Sequence, residues 1–580
     1  MSAAAPGSGH WTPPGWLTAA VIAFGALLRW AAVQQELAIS VDSVRYLTFA
    51  SNWLHGIYGT WGPTGLREFP DLGLPLCTTF VMPSAGDPIR SAQLVSWGAG
   101  IGILILVARI ARRLYGPTVA FYATFLAAVS QPLIVASGQV QTESLYCFWS
   151  LLALDATLSA LERPSTASGL MIGFACAMGY LTRGVGIVLL PLAAILLYVG
   201  ARRGIAGPEV PLATLEDPIR QSIALQAYQV SLQNAWPVCI VAIILSWLAP
   251  VGAYQTMLYA TYGRVVLSDQ AIWHVGGPGA SSDDVRLEGK LTDDGSDYAL
   301  NAWFRAHPGG GGSGLDLGGA ISRWLHNEVG IVYYIPEELL EPLTLILIAL
   351  GLLSAIAPPR WPYASAILAW WMVPYLVLQP FLFTIARYLF PVIPLLLVFG
   401  GRGVVMLQEW AMGLALRRNP KAPATDLGAA ERWVFAALFV LYLPSMIWPL
   451  THVEPRYQNL EAKAAGEWLA AHEVHDGIFA TSPVAGYYAG IDQKHNLVLP
   501  DADLNTILRF AAQKEVHWIL LEERRVPTTR PPELTALLYC APEALPASVL
   551  WRADITTWPG YRVRILEIKT AGLAKLEVPR

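Results

Sequence analysis

The chain has 580 residues, of which 54% are hydrophobic and only 14% charged. Soluble domains carry roughly 25% charged residues, so this is not an ordinary soluble protein. The net charge of −4 says little about partners, and no basic stretch points to nucleic acid. Five cysteines at irregular spacing, with no CxxC pair, argue against a disulfide framework or a zinc site.

The missing charge is concentrated in long apolar runs. A helix crossing ~30 Å of hydrocarbon needs ~20 apolar residues. By that measure spans are expected near 15–33, 89–111, 117–136, 141–160, 168–182, 184–200, 236–256, 338–357, 362–380, 386–408 and 432–450. The first run lacks a basic flank and a cleavage site, so it reads as an anchor rather than a removable signal. The fifth and sixth runs are short and meet at Thr182-Arg183-Gly184, which fits a bent, re-entrant pair. Eleven spans from a cytoplasmic N-terminus place Arg109, Arg112, Arg113, Arg202, Arg203, Arg417 and Arg418 inside, as the positive-inside bias requires. Loop 34–88, loop 257–337 and the tail 451–580 then lie outside. The domain reading is a membrane domain over 1–450 and an extracytoplasmic domain over 451–580, in the cytoplasmic membrane of a bacterium.

Loop 257–337 is polar and contains His307-Pro308 followed by four glycines, a pattern that punctuates structure. In the tail, residues 458–473 have helical periodicity. Short apolar runs at 477–480, 496–499, 516–521 and 561–566 alternate with helical patterns at 503–513 and 531–541. Strands alternating with helices predict a small α/β domain. It carries no glycine-rich phosphate loop. The fold class is therefore a polytopic α-helical membrane protein with a small C-terminal α/β domain.

Chemistry is expected where polar residues meet the bilayer. After the first span, Asp42, Arg45, Tyr46, Phe49 and Trp53 recur at helical spacing and share one helix face. The ordinary alternative for Asp42 is that it caps this helix. Gln141-Thr142-Glu143-Ser144 sets a carboxylate at membrane depth, which is costly and marks function by default. Arg183 sits between the fifth and sixth runs. Arg387 and Tyr388 open the tenth. Either arginine could instead snorkel to headgroups. The case for a site is joint: two acids and two arginines are all expected at the outer face, where they would line one outward-facing cavity.

Taken in order, these segments resemble the GT-C superfamily of membrane glycosyltransferases, including protein O-mannosyltransferases and the lipid A aminoarabinose transferase. The resemblance runs over about 15–450. It rests on Asp42-Ser43-Val44-Arg45-Tyr46, the Pro/Gly-rich Phe69-Pro70-Asp71-Leu72-Gly73-Leu74-Pro75, Thr142-Glu143-Ser144, Leu181-Thr182-Arg183 and Arg387-Tyr388-Leu389-Phe390-Pro391. The chain departs from the aminoarabinose branch in lacking a lysine near the Pro-rich stretch, although Arg67 is close, and no Asp-x-Asp lies within 15–450. The resemblance implies a sugar donor linked to a polyprenyl phosphate, and an acceptor that is lipid, glycan or protein. It also implies the residue roles. Asp42 is the general base and Glu143 a second catalytic acid. Arg183, Arg387, Tyr388 and Arg45 bind the donor phosphate. Tyr46, Arg67 and Glu68 contact substrate. No cofactor is specified, and a divalent metal ion is left open. Two other classes fit many charged helices: a transporter or flippase, and a non-enzymatic envelope-assembly protein. A transporter usually shows paired repeats, and none is evident here.

Overall fold

The computed structural model describes residues 13–65, 67–68, 71–202, 218–262, 289–306, 317–356, 363–378, 386–418, 424–451, 459–557 and 560–569. The chain forms two compact units. The first comprises Met1–Gln35, Gln93–Val265 and Gly318–His452; the second comprises Glu36–Ala92, Val266–Leu317 and Val453–Arg580. In chain order the first ten helices are α1 (Gly15–Gln35), α2 (Val41–Leu54), α3 (Gly73–Ala85), α4 (Pro88–Tyr115), α5 (Pro117–Val129), α6 (Gln131–Gly138), α7 (Thr142–Glu162), α8 (Thr166–Thr182), α9 (Leu189–Arg202) and α10 (Pro218–Tyr262).

The first unit is helical. Helices α1, α4 and α7, residues Ala235–Ala260 of α10 and Val392–Arg418 are each long and apolar enough to cross a membrane; the pair α5 and α6, bent by 57°, makes a sixth. Five shorter apolar helices lie at Thr166–Thr182, Gly184–Gly200, Pro342–Ser354, Tyr363–Val377 and Arg432–Leu441. The chain is thus a multi-pass membrane protein. Each stretch read from the sequence as a span contains helix, but among the described residues only these five, or six with the bent pair, qualify as full spans by length and composition.

Packing follows from sequence in particular places. Every residue of α5 from Val119 to Val129 is buried, as expected for a helix apolar all round and set at the centre of a bundle. Helices Pro342–Ile356 and Val392–Arg418 cross where a Cβ on Gly403 would meet the Leu347 carbonyl at 1.9 Å, and one on Gly351 the Phe399 carbonyl at 1.9 Å. Small residues let backbones approach in this way.

The break between α5 and α6 has a cause. Pro132 has no N–H, so the Ala128 carbonyl four residues earlier loses its helical donor. The fully buried Arg29 of α1 replaces it: its Nη1 donates to Ala128 O at 3.3 Å and to Gly25 O at 3.0 Å, and its Nη2 donates to Ala127 O at 3.0 Å. A cation at a helix C-terminus also suits the helix dipole.

The second unit is built on a sheet. Strands β1 (Thr60–Trp61) and β2 (Arg67–Glu68) pair antiparallel, and a separate five-stranded sheet has the order β4-β3-β5-β7-β6. Its strands are β3 (Gly477–Ala480), β4 (Asn496–Val498), β5 (Val516–Glu522), β6 (Val549–Thr556) and β7 (Arg562–Ile568). β3 is parallel to both β4 and β5, while β7 runs antiparallel to β5 and β6. Helices Leu460–Ala471, Leu504–Lys514 and Pro532–Tyr539 alternate with the strands. In the core, Phe479 stacks on Phe510 with centroids 5.9 Å apart, and Tyr298 meets the same ring edge-on at 5.0 Å. β6 is an edge strand whose outer positions are exposed.

Distant segments are laced onto this sheet. The Val498 N–H of β4 donates to Pro63 O at 2.7 Å, which covers an edge that would otherwise stay open. Asn301 Nδ2 donates to Thr64 O at 2.9 Å, and Asn459 Nδ2 donates to Ile39 O at 3.0 Å. Thr60 and Gln493 share a further hydrogen bond. Ile39, Thr60 and Pro63 are therefore held by residues of the tail, and Thr64 by Asn301.

Two outcomes test these interactions. Replacing Arg29 by Leu leaves the Ala127 and Ala128 carbonyls without their donors, at about 1–3 kcal/mol for each buried group. Thermal unfolding in detergent should show a lowered midpoint, and an unchanged midpoint would contradict the capping role. The second concerns Glu522, buried at the end of β5. Burial pushes its carboxyl up, while Arg525 and Thr481 pull it down and Glu461 adds to the rise. A carboxyl raised in the folded state is favourable when protonated; its contribution is present below the unfolded value and lost as pH rises through the folded one. Glu522→Gln, which stays neutral, should therefore raise the midpoint of this unit more at pH 8 than at pH 5. An equal effect at both would contradict the sign.

Candidate active site

The first unit gathers four of the sequence-derived candidates. Glu143 lies in the first turn of α7 and is 4% exposed; Arg183 is 7% exposed. Arg183 Nη1 donates to Glu143 Oε1 at 3.0 Å. Arg387 Nε lies 3.8 Å from the same oxygen. The Arg183 guanidinium sits over the Tyr388 ring at 4.4 Å from its centroid, and that of Arg387 lies 5.6 Å from it. One carboxylate and one aromatic face thus hold two guanidinium groups from segments far apart in sequence. A buried ion pair needs good geometry and further polar partners to survive desolvation, and a cation over an aromatic face adds to it.

Local sequence explains each placement. α8 stops at Thr182 because Arg183 is extended, with φ −152° and ψ 131°. A 3-10 turn, Gly184–Val188, then folds back on α8. A Cβ on Gly186 would meet Gly179 O and C at 2.4 Å, so only glycine lets the turn come this close. The Gly186 N–H donates to Arg183 O at 2.7 Å. Arg387 and Tyr388 project from another 3-10 turn, Ala386–Leu389, just before Val392–Arg418.

One helical turn below Glu143, a buried polar string continues inward. The Tyr146 hydroxyl lies 3.0 Å from the Tyr375 hydroxyl, which lies 3.0 Å from Ser150 Oγ. Trp371 Nε1 donates to Ser150 at 3.1 Å. Sequence reasoning did not single out these residues. Their signal is the spacing of Glu143, Tyr146 and Ser150 along one face of α7.

The second unit holds the other candidates. Helix α2 begins after Ser40, whose side chain accepts from the Ser43 N–H at 3.3 Å in a capping box. The cap is therefore Ser40, and Asp42 lies within the first turn. Arg45 pairs with Glu68 at 2.6 Å. Glu68 is buried in β2, beneath Gly62, where any Cβ would strike its carboxylate. Tyr46 is half-buried. Arg67 pairs with Trp61 through the backbone of the β1–β2 ribbon. Asp71 is also buried. Of the Pro/Gly-rich stretch, Phe69 and Pro70 lie outside the described residues. Among the described residues no group of three or more His, Cys, Asp and Glu could hold a metal ion.

Comparison with known proteins finds a family model that matches part of the chain and solved structures that share its fold. Residues 73–215 match the family model of dolichyl-phosphate-mannose-protein mannosyltransferases. ArnT from Cupriavidus metallidurans, solved bound to undecaprenyl phosphate, is 14% identical at a TM-score of 0.52, covering 98% of this chain and 99% of its own. The archaeal oligosaccharyltransferase AglB from Archaeoglobus fulgidus, in complex with an inhibitory peptide and a dolichol-phosphate, is 12% identical at a TM-score of 0.50, covering 87% of this chain and 69% of its own. No curated protein sequence matches the chain.

Proposed function

We propose that this protein is a glycosyltransferase that moves a sugar from a polyprenyl-phosphate-linked donor to an acceptor at the outer face of the bacterial cytoplasmic membrane. The observation that carries this reading is the pair Arg183 and Arg387 held by Glu143 and Tyr388 in a membrane-spanning unit. Guanidinium groups are planar forks matched to phosphate. Fixed at membrane depth, they suit a phosphate carried on a lipid. The two similar structures contain undecaprenyl phosphate and dolichol-phosphate, which supports the same donor class here. The proposed topology has eleven spans, with residues 451–580 outside.

In the proposed reaction the Asp42 carboxylate takes the proton from an acceptor hydroxyl. The acceptor oxygen bonds to the anomeric carbon, and the bond from that carbon to the phosphate oxygen breaks. The electron pair leaves with the phosphate, and polyprenyl phosphate is released. Arg183 and Arg387 stabilise the charge that develops on the phosphate. Glu143 orients the two guanidinium groups, Tyr388 supports Arg183, and Glu68 holds Arg45, a further proposed donor-phosphate contact. Because Ser40 caps α2, Asp42 is not needed for the cap. Arg67 and Tyr46 remain proposed substrate contacts.

The test uses the purified full chain with labelled donor. Arg183→Ala and Arg387→Ala should weaken donor binding and cut turnover by about 10²-fold or more, the scale of one lost transition-state donor. Asp42→Asn should abolish most turnover while donor binding and thermal midpoint stay near wild type, with Glu143→Gln the next most damaging acid substitution. Donor binding unaffected by both arginine substitutions would overturn the phosphate assignment. Near-normal turnover in Asp42→Asn would overturn the base.

A further inference from the structure

At the other end of α7 from Glu143, a groove of about 620 Å³ opens between α4, α7 and α8, within the size range of ligand sites. Twenty residues separate Glu143 from Arg163, about 30 Å along a helix, so this groove is remote from the arginine cluster. It has two parts. The apolar part includes Gly102, Ile105, Leu106, Phe148, Leu152 and Met171. The polar end is built from Arg109, Asp155, Ser159, Glu162 and Arg163, with Ser165 and Ser168 of the α8 capping box.

The charges at the polar end are organised. Asp155 is 3% exposed and accepts from Arg109 Nε at 3.0 Å. Arg113 reaches both Asp155, at 3.2 Å, and Glu162, at 2.6 Å. Arg163 is exposed and forms no ion pair among the described residues. Both carboxylates are thus engaged by arginines, while Arg163 stands at the rim beside the N-terminus of α8, where the helix dipole also favours negative charge. From Phe148 to Ser159 the wall of α7 rises about 16 Å, close to half of a ~30 Å hydrocarbon core. An acyl chain occupies one leaflet in this way; a long polyprenyl chain would run past it.

We propose that this groove is a binding site for an anionic glycerophospholipid. Its phosphodiester pairs with Arg163 and Arg109, and one acyl chain lies against Leu106, Phe148 and Leu152. The site is separate from the proposed donor phosphate site and does not depend on that reading.

The full chain, purified in mild detergent, is mixed with equal amounts of phosphatidylglycerol and phosphatidylcholine, and retained lipid is counted by native mass spectrometry. The wild type should retain phosphatidylglycerol in excess. Arg163→Gln should lower that excess about fivefold, the scale of one arginine acting on anionic lipid. Leu152→Trp, which fills the apolar part, should reduce retention of both lipids. Arg418→Gln, at the end of another helix, should change nothing. The proposal is overturned if the wild type shows no preference, or if Arg163→Gln has no larger effect than Arg418→Gln. It is also overturned if added undecaprenyl phosphate is retained in preference and that retention is lost in Arg163→Gln.

Discussion

The cost of placing charge inside a membrane protein shapes the first unit. A buried carboxylate or guanidinium persists only where another group repays its lost hydration. Glu143 and Arg183 do this for each other at 3.0 Å, and Tyr388 covers the guanidinium. That pairing requires α8 to end where it does, because Arg183 reaches Glu143 from an extended residue and not from a helical one. The ending in turn requires the tight return at Gly186. Arg29 obeys the same rule with different partners, repaying its burial through the carbonyls of Gly25, Ala127 and Ala128, the last of which Pro132 leaves open. Asp155, tied to Arg109 and Arg113, is a third case. Glu143, Arg183 and Arg387 thus sit at helix ends and interruptions, whereas Arg29 and Asp155 lie within helices and are satisfied by neighbouring ones.

The second unit is held by a different principle. One edge of its sheet, at β4, is covered by an early segment of the chain, and further side chains tie that part of the chain down. Pro63 completes β4, Asn301 ties Thr64, and Asn459 ties Ile39. The last of these is one residue before the Ser40 cap, so the start of α2, and with it the first-turn carboxylate of Asp42, is anchored by a residue of the tail. Arg45 on the next turn is fixed by Glu68 from the β1–β2 ribbon. Chain segments that look like simple loops in sequence thus become the walls of a folded unit.

Much of this was legible in the sequence, for physical reasons. Long apolar runs mark helices because the bilayer admits little else, and Glu143, Arg183 and Arg387 stand out as charges at membrane depth. The elements Leu460–Ala471, β3, β4, β5 and β7 follow from periodicity. What the sequence did not disclose depended on contacts. Val549-Leu550-Trp551-Arg552-Ala553-Asp554 hides β6 because an edge strand need not alternate cleanly. The α5–α6 bend lies in a run read as one span; Pro132 marks it in the sequence, but the role of Arg29 in completing it depends on tertiary contact. The cap of α2 was expected at Asp42 as the ordinary alternative, yet Ser40 two residues earlier takes it through Ser43. That Arg183 and Arg387 share one carboxylate could not be read from positions some two hundred residues apart.

The central claim is that Arg183 and Arg387 receive a lipid-borne phosphate. A structure of the full chain determined with bound polyprenyl phosphate tests it most directly. The account predicts phosphate oxygens about 2.7–2.9 Å from guanidinium nitrogens of both arginines, the range of charge-assisted hydrogen bonds, with Glu143 still touching Arg183. A phosphate bound elsewhere, with the Arg183–Glu143–Arg387 cluster unchanged and out of its reach, would contradict the account.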